Sequence, residues 1–124
     1  MSTDETRTFL DQAARNRGYT LEMHRIMAAA DLEWARKYND FIEATYTGQR
    51  TLDRKTKELL QIVVEAALRA DVEHIQLHVK LALQEGATPR EILEALQAVI
   101  APMGALAFRR GVQAWAAETG FVAP

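Results

Sequence analysis

The chain has no cysteine. Disulfides, thiolate metal ligands, CxxC redox chemistry and a cysteine nucleophile are therefore excluded as chemistry. Serine is nearly as scarce: Ser2 is the only one, and no nucleophile elbow surrounds it. Neither sign of charge dominates, with 15 Lys and Arg against 17 Asp and Glu, and the basic residues are spread along the chain. That leaves no electrostatic footprint for nucleic acid or for an anionic membrane, and neither is expected as a partner. No apolar run reaches spanning length, and "MSTDETRTFL" lacks the basic-then-apolar pattern of a signal peptide, so a cytoplasmic location is expected. Three prolines and six glycines fall mostly between periodic segments, and no strand alternation is present.

What is present reads as all-α. The 124 residues, with 48% hydrophobic and 26% charged, suit one globular domain spanning 1–124. About six helices are expected. Ser2 with Glu5 forms a capping box for a first helix that Gly18 closes. A long second helix runs from Thr20 to about Tyr46, with Trp34, Tyr38, Phe41 and Ile42 as its apolar stripe, and Gly48 ends it. Thr51 or Asp53 caps a third helix reaching about Arg69. Asp71 caps a fourth, which ends at Gly86. "TPRE" is the clearest start signal: Thr88 caps, Pro89 takes the first helical position and Glu91 reaches back. A last helix runs from Gly104 to Thr119.

"LLQIVVEAALRA" is apolar nearly all round, and Ile92 to Ile100 is almost as apolar. A chain this short offers few interior helices. Each large aliphatic fully buried contributes roughly 1.5–3 kcal/mol, so these faces predict burial against another subunit, in an obligate homo-oligomer; the alternative is one unusually compact bundle.

Two polar patterns lie on these helices. Glu58, Gln61, Glu65 and Arg69 form a stripe that reads either as a solvent face with a Glu65–Arg69 ion pair or as the lining of a pocket. In "ADVEHIQLHVKLALQEGATPREI", Asp71, His74 and His78 share one helical face. D-x-x-H-x-x-x-H offers three metal donors, but it is not HExxH and Asp71 is well explained as a cap. The expectation is no metal and no cofactor, with proton transfer as the chemistry left to these groups.

The block "TLDRKTKELL…AALRADVEHIQLHVKLALQEGATPREILEAL", within residues 51 to about 110, resembles the carboxymuconolactone decarboxylase family of the AhpD-like superfamily. Its most specific part is "LHVKLALQEGATPREILEAL". The resemblance implies an all-helical AhpD-like bundle assembled from interlocked subunits as trimers or hexamers. The family's peroxidase branch carries E-x11-C-x2-C-x3-H. Here His78 matches the histidine, while His74 and Asp71 stand at the cysteine positions. The glutamate position falls on Leu59 by count, next to Glu58. Without sulfur, a thiol peroxidase is excluded.

The decarboxylase branch works without thiols, metal or organic cofactor, removing carbon dioxide from a small lactone acid in aromatic catabolism. By this resemblance His78 is the acid, His74 assists it, Glu65 or Glu58 tunes the imidazole, and Arg109 or Arg110 anchors a substrate carboxylate. "EHIQLH" departs from the decarboxylase pattern, which widens the expected substrate to another small carbonyl or lactone organic acid. The competing expectation is a non-catalytic homo-oligomer that binds a ligand or is structural.

Overall fold

The computed structural model describes residues 3–124, and the Ser2 half of the expected capping box lies outside them. Among the described residues there are eight α-helices and one π turn, with no strand. The chain divides into two compact units, one ending at Arg50 and the other spanning Thr51–Pro124.

The first unit holds α1 (Thr3–Arg17), α2 (Glu22–Ala30), α3 (Leu32–Ile42) and a π turn at Glu43–Thr47. The expected long helix from Thr20 to Tyr46 is thus broken. Asp31 leaves helical geometry (φ −157°, ψ 84°) and its Oδ1 accepts from the Trp34 amide at 3.1 Å. A short acceptor side chain here ends one helix and caps the next. The break also re-aims the apolar positions. Ala28, Leu32 and Ala35 form this unit's small core with Phe9, Leu10 and Met27 packed on it, while Trp34 and Phe41 of the expected stripe are exposed. Gly48 closes the π turn by donating to the Glu43 carbonyl at 2.8 Å, and a Cβ there would stand 2.4 Å from that oxygen. Close backbone approach therefore demands the glycine.

The cap of α2 is unusual. Leu21 is the N-cap, and its amide donates to His24 Nδ1 at 2.9 Å. His24 thus fills the N3 acceptor role that glutamate or glutamine ordinarily takes. Burial, followed by the charges of Arg17 and Arg25, lowers its pKa to about 4.

The second unit contains α4 (Arg54–Ala67), α5 (Val72–Gln84), α6 (Pro89–Ala98), α7 (Ile100–Met103) and α8 (Ala105–Thr119). Asp53 caps α4, Asp71 caps α5 and the Thr88–Glu91 box caps α6. The helix expected from Thr88 ends at Ala98, and the short α7 follows it. Ile62 and Ala66 of α4, Ile75 and Val79 of α5, Ile92 and Leu96 of α6, and Ala114 and Trp115 of α8 make one core. Helix α8 comes close because position 111 is glycine: a Cβ would lie 2.7 Å from Leu96 Cδ2 and 3.3 Å from Ala66 Cβ. Trp115 Nε1 donates to the Pro89 carbonyl at 2.8 Å, tying α8 to the start of α6.

The turn from α4 to α5 sets what those helices can share. Ala70 N–H donates to Glu65 O and Arg69 N–H to Ala66 O, the paired bonds of a Schellman ending. Arg69 occupies the left-handed position at φ 59°, where a Cβ is strained. Two residues later Asp71 starts α5, so the two helices fold back on each other with almost no loop.

Two outcomes follow from these local geometries. Arg69→Gly relieves the left-handed strain and is expected to raise stability by roughly 0.5–1 kcal/mol in denaturant titration, net of glycine's greater freedom when unfolded; an unchanged or lower midpoint contradicts this reading. For His24 the unfolded chain binds the extra proton between the ordinary pKa of 6.5 and the folded value of about 4, so its stabilising contribution is full above 6.5 and fades as pH falls toward 4. His24→Gln keeps an acceptor for Leu21 N–H, and the variant is expected to lose less thermal stability than the parent over that interval.

Candidate functional site

The polar stripe of α4 faces the histidines of α5. Glu58 is fully buried and His78 is 1% exposed, so neither is a surface group. Glu58 Oε1 lies 2.7 Å from His78 Nδ1, and Glu58 Oε2 accepts from Arg54 Nε at 2.7 Å. Arg54 and Glu58 are one helical turn apart on α4. With a guanidinium on its other oxygen, Glu58 is held as a carboxylate. That makes His78 Nδ1 the N–H donor and turns Nε2 away from Glu58.

His78 Nε2 looks instead toward Glu65. Glu65 Oε2 stands 3.3 Å from His78 Nε2 and 2.7 Å from His74 Nε2, so two ring nitrogens converge on one oxygen. The two rings meet edge-on with centroids 5.0 Å apart. Glu65 Oε1 is buried with no hydrogen-bond partner among the described residues. The side chain of His74 is 27% exposed and that of Glu65 12%, which makes His74 the solvent-side member of the group.

Electrostatics push these groups toward their neutral forms. Burial raises the Glu65 carboxyl to about 7; Glu58 and Asp71 reinforce this, and His78 opposes it. Burial also lowers the His74 pKa, with His78 adding to the effect and Asp71 working against it. The short Glu65–His74 contact is therefore better described as one proton shared between two neutral-leaning partners than as a fixed ion pair.

The residues singled out by sequence divide into two sets. Glu58, Glu65, His74 and His78 come together, and the solvent-face reading of the stripe does not describe Glu58 or Glu65. Arg69 lies beyond the helix end and is exposed, so the Glu65–Arg69 pair does not form. Asp71 serves as N-cap, its Oδ2 accepting from the His74 amide at 3.0 Å. Arg109 is exposed. Arg110 is half-buried and donates to the Ala70 carbonyl at 3.5 Å, beside the start of α5, without bonding to the cluster. Arg54 escaped the sequence reading, although its i, i+4 spacing to Glu58 at the start of an apolar helix was a usable signal.

The arrangement can hold and pass a proton along Glu58–His78–Glu65–His74, and its lone pairs converge closely enough to hold a cation. It has no sulfur with which to move electrons. No curated protein matches the chain. The family model described as "Carboxymuconolactone decarboxylase family" matches residues 33–117. That span is well over half of the 124 residues. An all-helical chain with this match belongs to the carboxymuconolactone decarboxylase family, as a member without cysteine.

Proposed function

We propose that the protein is a cofactor-independent, carboxymuconolactone decarboxylase-like enzyme, a lyase or isomerase of a small lactone or keto organic acid. One observation carries the reading: a single carboxylate oxygen, Glu65 Oε2, is shared by two imidazoles, one of them locked from behind by a fully buried glutamate. Loss of carbon dioxide breaks a carbon–carbon bond and leaves its electron pair on the substrate, which must then gain a proton at carbon. The cluster supplies such a proton from within the chain.

His78 is too enclosed to touch a substrate, so we assign it to the relay and give the substrate-facing role to His74. His74 Nε2 is bonded to Glu65, while its Nδ1 has no hydrogen-bond partner among the described residues. A proton passed from the Glu65 carboxyl to His74 Nε2 lets the Nδ1 proton leave for the substrate carbon; Glu65 is left as a carboxylate beside His78, and solvent at the exposed edge of His74 returns the proton. Glu58 and Arg54 position His78. Arg110, near the turn into α5, is the better placed of the two arginines to meet a substrate carboxylate, because its guanidinium has one weak partner, at 3.5 Å.

Self-association belongs to the same proposal. Leu60, Val64 and Leu68 are 49%, 52% and 77% exposed at i, i+4 and i+8 on α4. Beside them Val63, Val64, Ala67, Val99, Pro102 and Met103 line an apolar groove. Such a stripe is costly to leave in water, which supports a homo-oligomer built on this face.

The catalytic reading is tested by carbon dioxide release from 4-carboxymuconolactone and related small lactone and keto acids. His74→Gln and Glu65→Gln are expected to lower kcat by roughly 10²-fold or more with the fold intact by circular dichroism. Turnover equal to the parent in both variants, or none by the parent on any such acid, overturns it. For assembly, Val64→Asp with Leu68→Asp is expected to reduce the mass measured by light scattering to that of a monomer; a monomeric parent, or an unchanged oligomer in the variant, removes this face from the interface.

A further inference from the structure

The same lone pairs suit a second ligand. We propose that Glu65, His74 and His78 form a binding site for a divalent first-row transition ion, with Zn²⁺ the best match to their chemistry. This goes beyond proton transfer, since the ion competes with the shared protons for one set of atoms.

Four observations converge. One nitrogen from each ring and one Glu65 oxygen all lie within 4.8 Å of one another. An ion bound at about 2.0–2.2 Å to each donor needs donor pairs roughly 3.3 Å apart in a tetrahedral site. The two pairs involving Glu65 Oε2 stand at 2.7 and 3.3 Å, and the two ring nitrogens lie no more than 4.8 Å apart, so an ion requires the His74 contact to open and the rings to draw together. Next, His78 already has the support that metal-binding histidines require. Its Nδ1 is engaged by the Glu58 carboxylate at 2.7 Å, which turns Nε2 toward Glu65 Oε2 at 3.3 Å, and Arg54 holds Glu58 in turn.

The third observation is Glu65 Oε1, buried without a partner, a lone-pair donor that an ion on the adjoining oxygen would help to satisfy. The fourth is access. His74 is the partly exposed corner, so an ion can arrive from solvent, and a water molecule can complete a fourth position. Two imidazoles with one carboxylate favour ions such as Zn²⁺ over Mg²⁺ or Ca²⁺, which require mostly oxygen donors.

None of the three donors is adjacent to the others in sequence. The histidines are one turn apart on α5, and Glu65 comes from the last turn of α4, brought opposite them by the tight Arg69–Ala70 turn. Asp71, the donor suggested by D-x-x-H-x-x-x-H, is used as a helix cap instead.

The test is calorimetric titration of Zn²⁺ into the full-length protein after chelator dialysis, repeated in buffers of different ionisation enthalpy, with Co²⁺ absorption as a geometry probe. We expect one ion per chain, proton release on binding, and a tetrahedral Co²⁺ spectrum. His74→Ala and Glu65→Gln are expected to weaken binding at least 10-fold, Glu58→Gln by roughly 10-fold through His78 orientation, and His24→Gln not at all. Failure of the parent to bind, or unchanged affinity in both His74→Ala and Glu65→Gln, overturns the proposal. Either failure leaves the proton relay intact, because that reading is judged by turnover in metal-free protein.

Discussion

The second unit is organised around a carboxylate with no access to water. Burying an ion in a protein interior costs several kcal/mol unless its lone pairs are met, and removing one partner of such a group costs about 3–5 kcal/mol. Glu58 meets this demand with Arg54 on one oxygen and His78 on the other. The consequence reaches well past one contact. It sets the rotation of α5 about its axis, because His78 must face α4. It sets the imidazole tautomer, because Nδ1 must carry the proton. It also determines that the second nitrogen of His78 faces Glu65. Everything the cluster can do chemically, with a proton or with a cation, descends from that anchoring.

Helix ends do the remaining positioning. Glu65 is the residue whose carbonyl receives the Schellman bond from Ala70, so the same residue that carries the shared carboxyl also closes α4. Asp71 then starts α5 and, by capping it, orients the first turn that carries His74. A longer connection would leave the relative height of the two helices free, and a contact of 2.7 Å between their side chains would lose its support. The strained φ of Arg69 is tolerated where it shortens this path.

The first unit solves its problems with less core. Small residues, Ala28 and Ala35 with Leu32, let its helices pack closely, and polar groups stand in for apolar mass. Asn16 and Asn39 both donate to Glu43 Oε1, at 2.9 and 3.2 Å, and so tie α1 and α3 to the start of the π turn. Two of its aromatic residues, Trp34 and Phe41, are left on the outside, while Tyr46 is buried. Leu68 and Leu106 of the second unit are likewise exposed.

Much was legible from the linear order of residues, because caps and helical periodicity are local physics. Asp53, Asp71 and Thr88–Pro89–Glu91 announce their helices, and the absence of cysteine excludes thiol chemistry. Continuous periodicity predicts one helix through Asp31, whereas the backbone obeys the single short acceptor there and breaks. Which glutamate serves His78 could not be counted from spacing: the motif count lands on Leu59, and the side chain that reaches is Glu58. Nor could the order of residues decide that Glu65 abandons Arg69 for two imidazoles, since that depends on how tightly α4 turns into α5. Residue types and helix starts are written locally. Partnership across two helices is decided only when burial removes water as the competing partner.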